Sequence, residues 1–341
     1  MGFAVEFEQR LCAGQSVPVY VLHDSEQQLR AEVWPANGFN LLRWQTRPAN
    51  DLLDWLYCAP DWESNPVPTR SGFPILFPFP NRIRGGRFTW DGREYHWPLL
   101  DSTRQNAIHG LAPRRAWEVV HTNATADHAS ITGKFRMSPM RSGPDWLWPG
   151  EADLFITYTL RGDCRESTVT VDCHLVNTGR VTFPFGLGFH PYFRLADSAS
   201  STVDDVTLTS PTATLWELDE SLPTGRKVAA PAELNFSHGQ PIGATKVDHL
   251  YGDLASLRTD PEKDLQFAGE LRANSGSRVS VWYSPAFREL VLFTPVHRQA
   301  VCIEPYTCAT DAVHLSDGGW IPLAPGSVWS GTVEARIRSG G

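Results

Sequence analysis

His190 lies in residues 182–195, TFPFGLGFHPYFRL, between Phe- and Gly-rich apolar flanks and directly before Pro191, a position that pushes the backbone toward an extended conformation. Its imidazole, with an ordinary pKa of about 6.5, is the one side chain that both gives and takes a proton near neutrality. Glu304 follows the apolar run 300–303 and precedes Pro305, which predicts a carboxylate at the end of a buried strand. There it needs partners, or its pKa rises. His190 as general acid and Glu304 as general base suit a reaction that moves two protons at one small centre. Each residue also has a plainer use, as a buried hydrogen-bonded histidine and a salt-bridged glutamate, and spacing alone does not separate the readings.

Arg82, His109 and Asp248 add a fixed cation, a second imidazole and a second carboxylate, the mixture of donors and acceptors that hydroxyl-rich sugars require. The plainer uses are a paired surface cation for Arg82, a turn residue for His109 beside Gly110, and a turn cap for Asp248. Trp146, Trp148, Tyr192 and Tyr306 are of the type that covers the apolar face of a sugar ring, although core packing and loop anchoring are commoner roles. Six cysteines, Cys12, Cys58, Cys164, Cys173, Cys302 and Cys308, are scattered without a C-x-x-C pair. The linear spacing therefore indicates neither a disulfide framework nor a metal site, and reduced thiols are expected.

The elements that must position these residues read as strands. The 341 residues include 27 glycines and 26 prolines, a density of punctuation that suits short strands and turns better than helices. From Val17 to Thr46, apolar runs alternate with turn residues as in an antiparallel meander. Residues 47–80 are too proline-rich for a central strand and read as an ordered loop. Asp91-Gly92 between 87–90 and 93–97 is a strong hairpin signal, and a second hairpin is expected through 117–137. Leu154, Ile156, Tyr158 and Leu160, then Val169, Val171, Cys173 and Leu175, alternate with more polar neighbours, which predicts two long antiparallel strands with one face on the core. A polar, turn-rich stretch is expected over 196–270, followed by strands at RVSVWY, ELVLF, AVCIE and a final segment containing Trp329, Val333 and Ile337. No linker or short repeat interrupts the chain, so one all-β domain over 1–341 is the simplest organisation.

A net charge of -8 without long single-sign runs argues against nucleic-acid and anionic-membrane partners. Glu6 and Glu8 fall where a secretory signal needs an unbroken apolar core, and no stretch approaches about 18 consecutive apolar residues. A soluble cytoplasmic protein, monomer or homodimer, is expected.

Six stretches, FPNRIRGGRFTWDGREY, IHGLAPRRAW, GLGFHPYF, VDHLYGDL, IEPYTCATDAVHL and LAPGS, resemble in wording and order the aldose 1-epimerase (galactose mutarotase) family over most of the chain. The resemblance implies a large antiparallel β-sandwich of the galactose mutarotase type with a sugar site open on one face. By this resemblance His190 matches the general acid and Glu304 the general base. Arg82, His109 and Asp248 match substrate-binding positions, and Asn81, in the same motif as Arg82, is a further candidate. The expected activity is interconversion of the α and β anomers of a free hexose such as glucose or galactose, without cofactor or metal. Alternatives are a mutarotase of a phosphorylated or sulfonated hexose, favoured by the Arg114-Arg115 pair, a non-catalytic sugar-binding protein, and a glycoside hydrolase. The last usually needs two carboxylates about the scissile bond. After the glutamate the chain departs from animal members, with Pro305, Tyr306, Thr307 and Cys308 in place of a Gln-, Asn- and Trp-containing segment, which bears on the preferred sugar.

Overall fold

The computed structural model describes residues 2–26, 28–48, 52–138, 141–142, 145–195 and 202–340. Strands make up 52% of it, and the helical segments among the described residues are three-residue 3-10 turns. The fold is an antiparallel β-sandwich, as the period-two pattern predicts.

The longest sheet carries the two strands with the cleanest alternation. Ala152–Gly162 and Glu166–Asn177 pair antiparallel, with Leu154 opposite Leu175, Ile156 opposite Cys173, Tyr158 opposite Val171 and Leu160 opposite Val169. All eight of these side chains are buried in the main core. His128–Met137 flanks them on one side and Val328–Arg338 on the other, and the sheet continues through Arg278–Tyr283 and Leu265–Arg272 to short edge strands. A five-stranded sheet is formed by Phe3–Cys12, Gln15–Asp24, Leu29–Trp34, Asn40–Thr46 and Leu53–Asp54. The third large sheet runs Leu222–Ala229, Thr214–Asp219, Asp248–Tyr251, Glu289–Phe293, Val301–Tyr306, Gly188–Phe189, Ile75–Leu76, with Tyr192–Phe193 also paired to Val301–Tyr306. One apolar cluster draws on all three sheets, for example Trp44, Ile156 and Ile303.

The Asp91-Gly92 hairpin forms between Arg87–Trp90 and Arg93–His96. Both turn residues have positive φ, 48° and 70°, as a two-residue primed turn requires. Three segments differ from expectation. The meander begins earlier, with Phe3–Cys12, whose Phe7 and Leu11 stay exposed, so burial contributed no clean pattern there. The proline-rich loop contributes Ile75–Leu76 as an edge strand, where missing N–H donors are tolerated. Residues 202–270 contain five strands of three or more residues rather than only turns, and the PTGR stretch lies inside Leu222–Ala229. That strand is largely exposed, so its polarity concealed it. Among the described residues no helix is long and apolar enough to cross a membrane.

Candidate active site

The floor of the site is built by alternation within one strand. Every residue of Val301–Tyr306 is buried. Val301 and Ile303 point into the main core, so Cys302, Glu304 and Tyr306 share the opposite face. In the neighbouring Glu289–Phe293, Leu290 and Leu292 likewise enter the core, leaving Val291 and Phe293 to line the cavity with Glu304. Asp248 opens the next strand opposite Phe293 and is exposed, which sets it at the rim.

The walls are loops held in specified conformations. Asn81 and His109 both have left-handed backbones, with φ of 54° and 62°, uncommon for residues other than glycine. The His109 amide donates to the Asn81 carbonyl at 2.8 Å, and the Asp311 amide donates to the Arg82 carbonyl at 2.8 Å. Ala107–Ile108 pairs with Arg82–Ile83. Gly110 is required because a Cβ there would lie 2.2 Å from the Phe77 carbonyl oxygen. The Arg82 guanidinium is oriented by Nε donating to Asp101 at 2.7 Å and by a terminal nitrogen donating to the Asn81 side-chain oxygen at 3.1 Å.

His190 is fixed on several sides. Its amide donates to the Pro74 carbonyl at 3.0 Å. Its ring stacks on Tyr192 at 4.7 Å with an interplanar angle of 6°, and Phe293 and His109 meet it at 5.8 Å and 5.7 Å. The Tyr192 hydroxyl donates to the Thr69 carbonyl, so toward His190 Nε2, 3.4 Å away, its oxygen can only accept. This favours the proton on Nε2 and leaves Nδ1 as an acceptor. Nδ1 faces Glu304 Oε1 at 3.3 Å. The other carboxyl oxygen, Oε2, accepts from the Tyr306 hydroxyl at 2.6 Å.

Burial decides the charge state of this pair. It pushes His190 down to about 3, while the hydrogen bond to its own backbone acts upward. Burial raises Glu304 well above the ordinary carboxylate value; the Tyr306 hydroxyl opposes the rise and Asp248 adds to it. His109 is also driven well down by burial and by the neighbouring His190, Arg82 and Arg114. Burial thus favours a neutral Glu304 beside a neutral His190 over an ionised glutamate and imidazolium. Among the described residues His109 Nδ1, His190 Nδ1 and Glu304 Oε1 are buried without a hydrogen-bond partner of good geometry. Such atoms around a cavity call for a polar ligand.

All six residues singled out from the sequence line this one cavity of about 180 Å³: Asn81, Arg82, His109, His190, Asp248 and Glu304. Tyr192 and Tyr306 line it too, with Thr69, Ile108, Val291 and Phe293, which sequence reasoning missed. The alternation in ELVLF marks Val291 and Phe293 as facing away from the core, whereas nothing in the sequence marks Thr69. Trp148 is fully buried in an aromatic cluster with Phe79, Phe88, Trp97 and Trp320, away from the cavity lining. The side chain of Trp146 is outside the described residues. A larger groove of about 460 Å³ on the long sheet contains Arg258, Arg336 and Arg338. These arginines are ion-paired with Glu270, Asp260, Glu334 and Glu166, and Arg278 lines the groove as well.

All six cysteines are free. The fold does bring His190, Cys302 and Glu304 together with donor atoms within 4.8 Å of one another, a cluster that linear spacing does not reveal. His190 and Glu304 of this cluster also line the cavity with Asn81, Arg82, His109 and Asp248, and burial raises the Cys302 thiol well above its ordinary value.

Comparison with solved structures defines the class first. A galactose mutarotase-like protein from Clostridium acetobutylicum superposes with a TM-score of 0.79 at 20% identity, over 98% of this chain and 99% of that one. Galactose 1-epimerase from Lactobacillus acidophilus NCFM gives 0.76 at 17% identity, over 99% and 100%. The fold is that of galactose mutarotase-like proteins. More specifically, the family model for aldose 1-epimerase matches residues 20–336, and the chain belongs to that family. The Escherichia coli K12 proteins YihR and YphB are 27% and 26% identical, over 70% and 82% of this chain and 70% and 88% of their own lengths. Human galactose mutarotase is 32% identical over 60% of this chain. That match spans 56% of the human protein.

Proposed function

We propose that this protein interconverts the α and β anomers of a free aldose by acid–base ring opening, with Glu304 and His190 as the proton-transferring pair. The observation that carries the reading is the buried approach of Glu304 Oε1 to His190 Nδ1, 3.3 Å apart, in a cavity with Arg82, His109 and Asp248 on its walls. Anomer exchange takes a proton from the C1 hydroxyl and gives one to the ring oxygen. With the shared proton on His190, ionised Glu304 is the base and His190 the acid. Ring opening then leaves Glu304 protonated and His190 neutral, the state that burial already favours. After rotation about the C1–C2 bond the transfers run in reverse. Polar sugar groups in the cavity supply hydrogen bonds that make the charged form of the pair accessible.

The volume, below the roughly 300–1,000 Å³ of pockets for drug-sized ligands, suits a monosaccharide. Arg82 is the one Lys or Arg among the described lining residues and is already paired with Asp101, while Asp248 and Glu304 add carboxylates. This supports a neutral hexose over an anionic one. Arg114 and Arg115 are exposed, and neither lines the cavity.

Polarimetry or NMR exchange on freshly dissolved α-D-glucose and α-D-galactose tests the proposal. Each proton transfer typically contributes about 10²–10⁴-fold. Glu304→Gln and His190→Asn should therefore each lower turnover at least about 10²-fold while sugar binding largely survives, since both leave Arg82, His109 and Asp248 in place. Sugar binding with exchange at the uncatalysed rate would make the protein a binding module. Near-normal turnover of a folded Glu304→Gln variant would remove Glu304 as the base.

A further inference from the structure

We propose that Tyr306 is the positioning residue for the base, its hydroxyl holding one oxygen of Glu304 so that the other faces His190 and the cavity. The inference rests on the reading of Glu304 as the base. Two residues along a strand place Tyr306 and Glu304 on one face, and the hydroxyl reaches Oε2 at 2.6 Å. A carboxyl group turns readily about its last torsion, so a fixed donor on one oxygen sets the orientation in which the other faces His190.

An independent feature shows that the fold reserves space for this ring. Gly188 lies opposite Tyr306 in the sheet. A Cβ at Gly188 would come within 2.4 Å of the Tyr306 ring and 2.8 Å of Pro80. The glycine in GLGF is therefore what lets the ring lie flat beside the strand. The ring then packs with Leu76, Trp216, Leu250 and Val291. Burial and the adjacent Glu304 raise the phenol far above its ordinary value, so it remains a donor across the working pH range.

The charged and titratable groups facing Glu304 are Cys302 and Tyr306 on its own strand, His190 and Tyr192 from the paired segment and Asp248 from the rim. His109 meets the His190 ring, and Arg82 lines the same cavity. Of these, Tyr306 is the side chain that donates a hydrogen bond to the carboxyl group. Such a bond favours the ionised form. Its loss raises the carboxyl value further and moves upward the alkaline limb at which the pair gives up its shared proton.

The test is anomer exchange measured by NMR across pH for the native protein, Tyr306→Phe, Glu304→Gln and the double variant. Hydrogen bonds to charged groups are among the stronger ones, so Tyr306→Phe should lower kcat about 10-fold or more with little change in KM. The alkaline limb should shift to higher pH. The change should cost nothing further in the Glu304→Gln background, because residues that act as a unit are not additive. A ring-fluorinated tyrosine at position 306, a stronger donor of nearly the same shape, should move the limb the opposite way, and it keeps the test open if the phenylalanine variant folds poorly. An unmoved limb with full turnover in Tyr306→Phe, or an equal loss in the Glu304→Gln background, overturns the positioning role. Retained activity in Glu304→Gln alone instead overturns the base assignment on which it rests.

Discussion

At the scale of single residues, burial rather than residue type determines where the proton of the Glu304–His190 pair rests. A solvated Glu and His would place the acid limb of a pH profile on the carboxylate and the alkaline limb on the imidazolium. Here the order reverses. In the proposed mechanism the reactive form carries one proton on the pair. It is lost to the acid side when His190, held at about 3 by burial, takes up a second proton. It is lost to the alkaline side when Glu304, raised well above its ordinary value, gives up the first. The expected kcat/KM profile is a bell whose acid limb lies below the usual histidine range, both limbs belonging to the pair. Stopped-flow polarimetry across pH reads this directly, and an acid limb at an ordinary histidine value would mean that the two groups titrate independently.

At the scale of one element, Glu289–Phe293 carries both a cavity wall and a buried carboxyl group outside the mechanism. Glu289 accepts from Trp216 Nε1 at 2.9 Å and lies 3.4 Å from the Arg288 Nε. Burial still raises its pKa to about 7, against the lowering effects of Trp216, Lys227 and Arg288. The folded value lies above the unfolded one, so its contribution to stability is fully present below about 4.5 and is lost as pH rises through about 7. That loss is worth about 3 kcal/mol at 1.36 kcal/mol per unit. Glu289→Gln keeps the Trp216 acceptor and removes the titration. Denaturant unfolding at several pH values should show the variant losing less stability than the native protein between about pH 4.5 and 8. Identical slopes would mean that Glu289 ionises freely in the folded state.

At the scale of the whole molecule, charge and cavity chemistry act in the same direction. The net charge of -8 gives no general attraction for anions, and the one guanidinium among the described lining residues is paired with Asp101. Exchange at equal concentrations of glucose, galactose and glucose 6-phosphate should favour the neutral sugars. A clear preference for the phosphorylated sugar would transfer the assignment to a charged hexose.

Much of this architecture was legible in the chain, because strands half-buried in an antiparallel sheet must alternate, and Ala152–Gly162 and Glu166–Asn177 do so in register. Asp91-Gly92 announced its hairpin for a similar reason, since few residue pairs accept two positive φ angles. Exposed strands such as Leu222–Ala229 left no such trace. Motif wording singled out six residues that line one cavity, but their convergence required segments more than 200 positions apart in the chain. The same holds for the thiol of Cys302 beside the pair, for Thr69 at the wall and for Asp101 behind Arg82. Proton placement lay furthest from the sequence. It depends on how completely the surrounding sheets exclude water from Glu304 and His190, and desolvation is a property of the packed molecule rather than of any stretch of it.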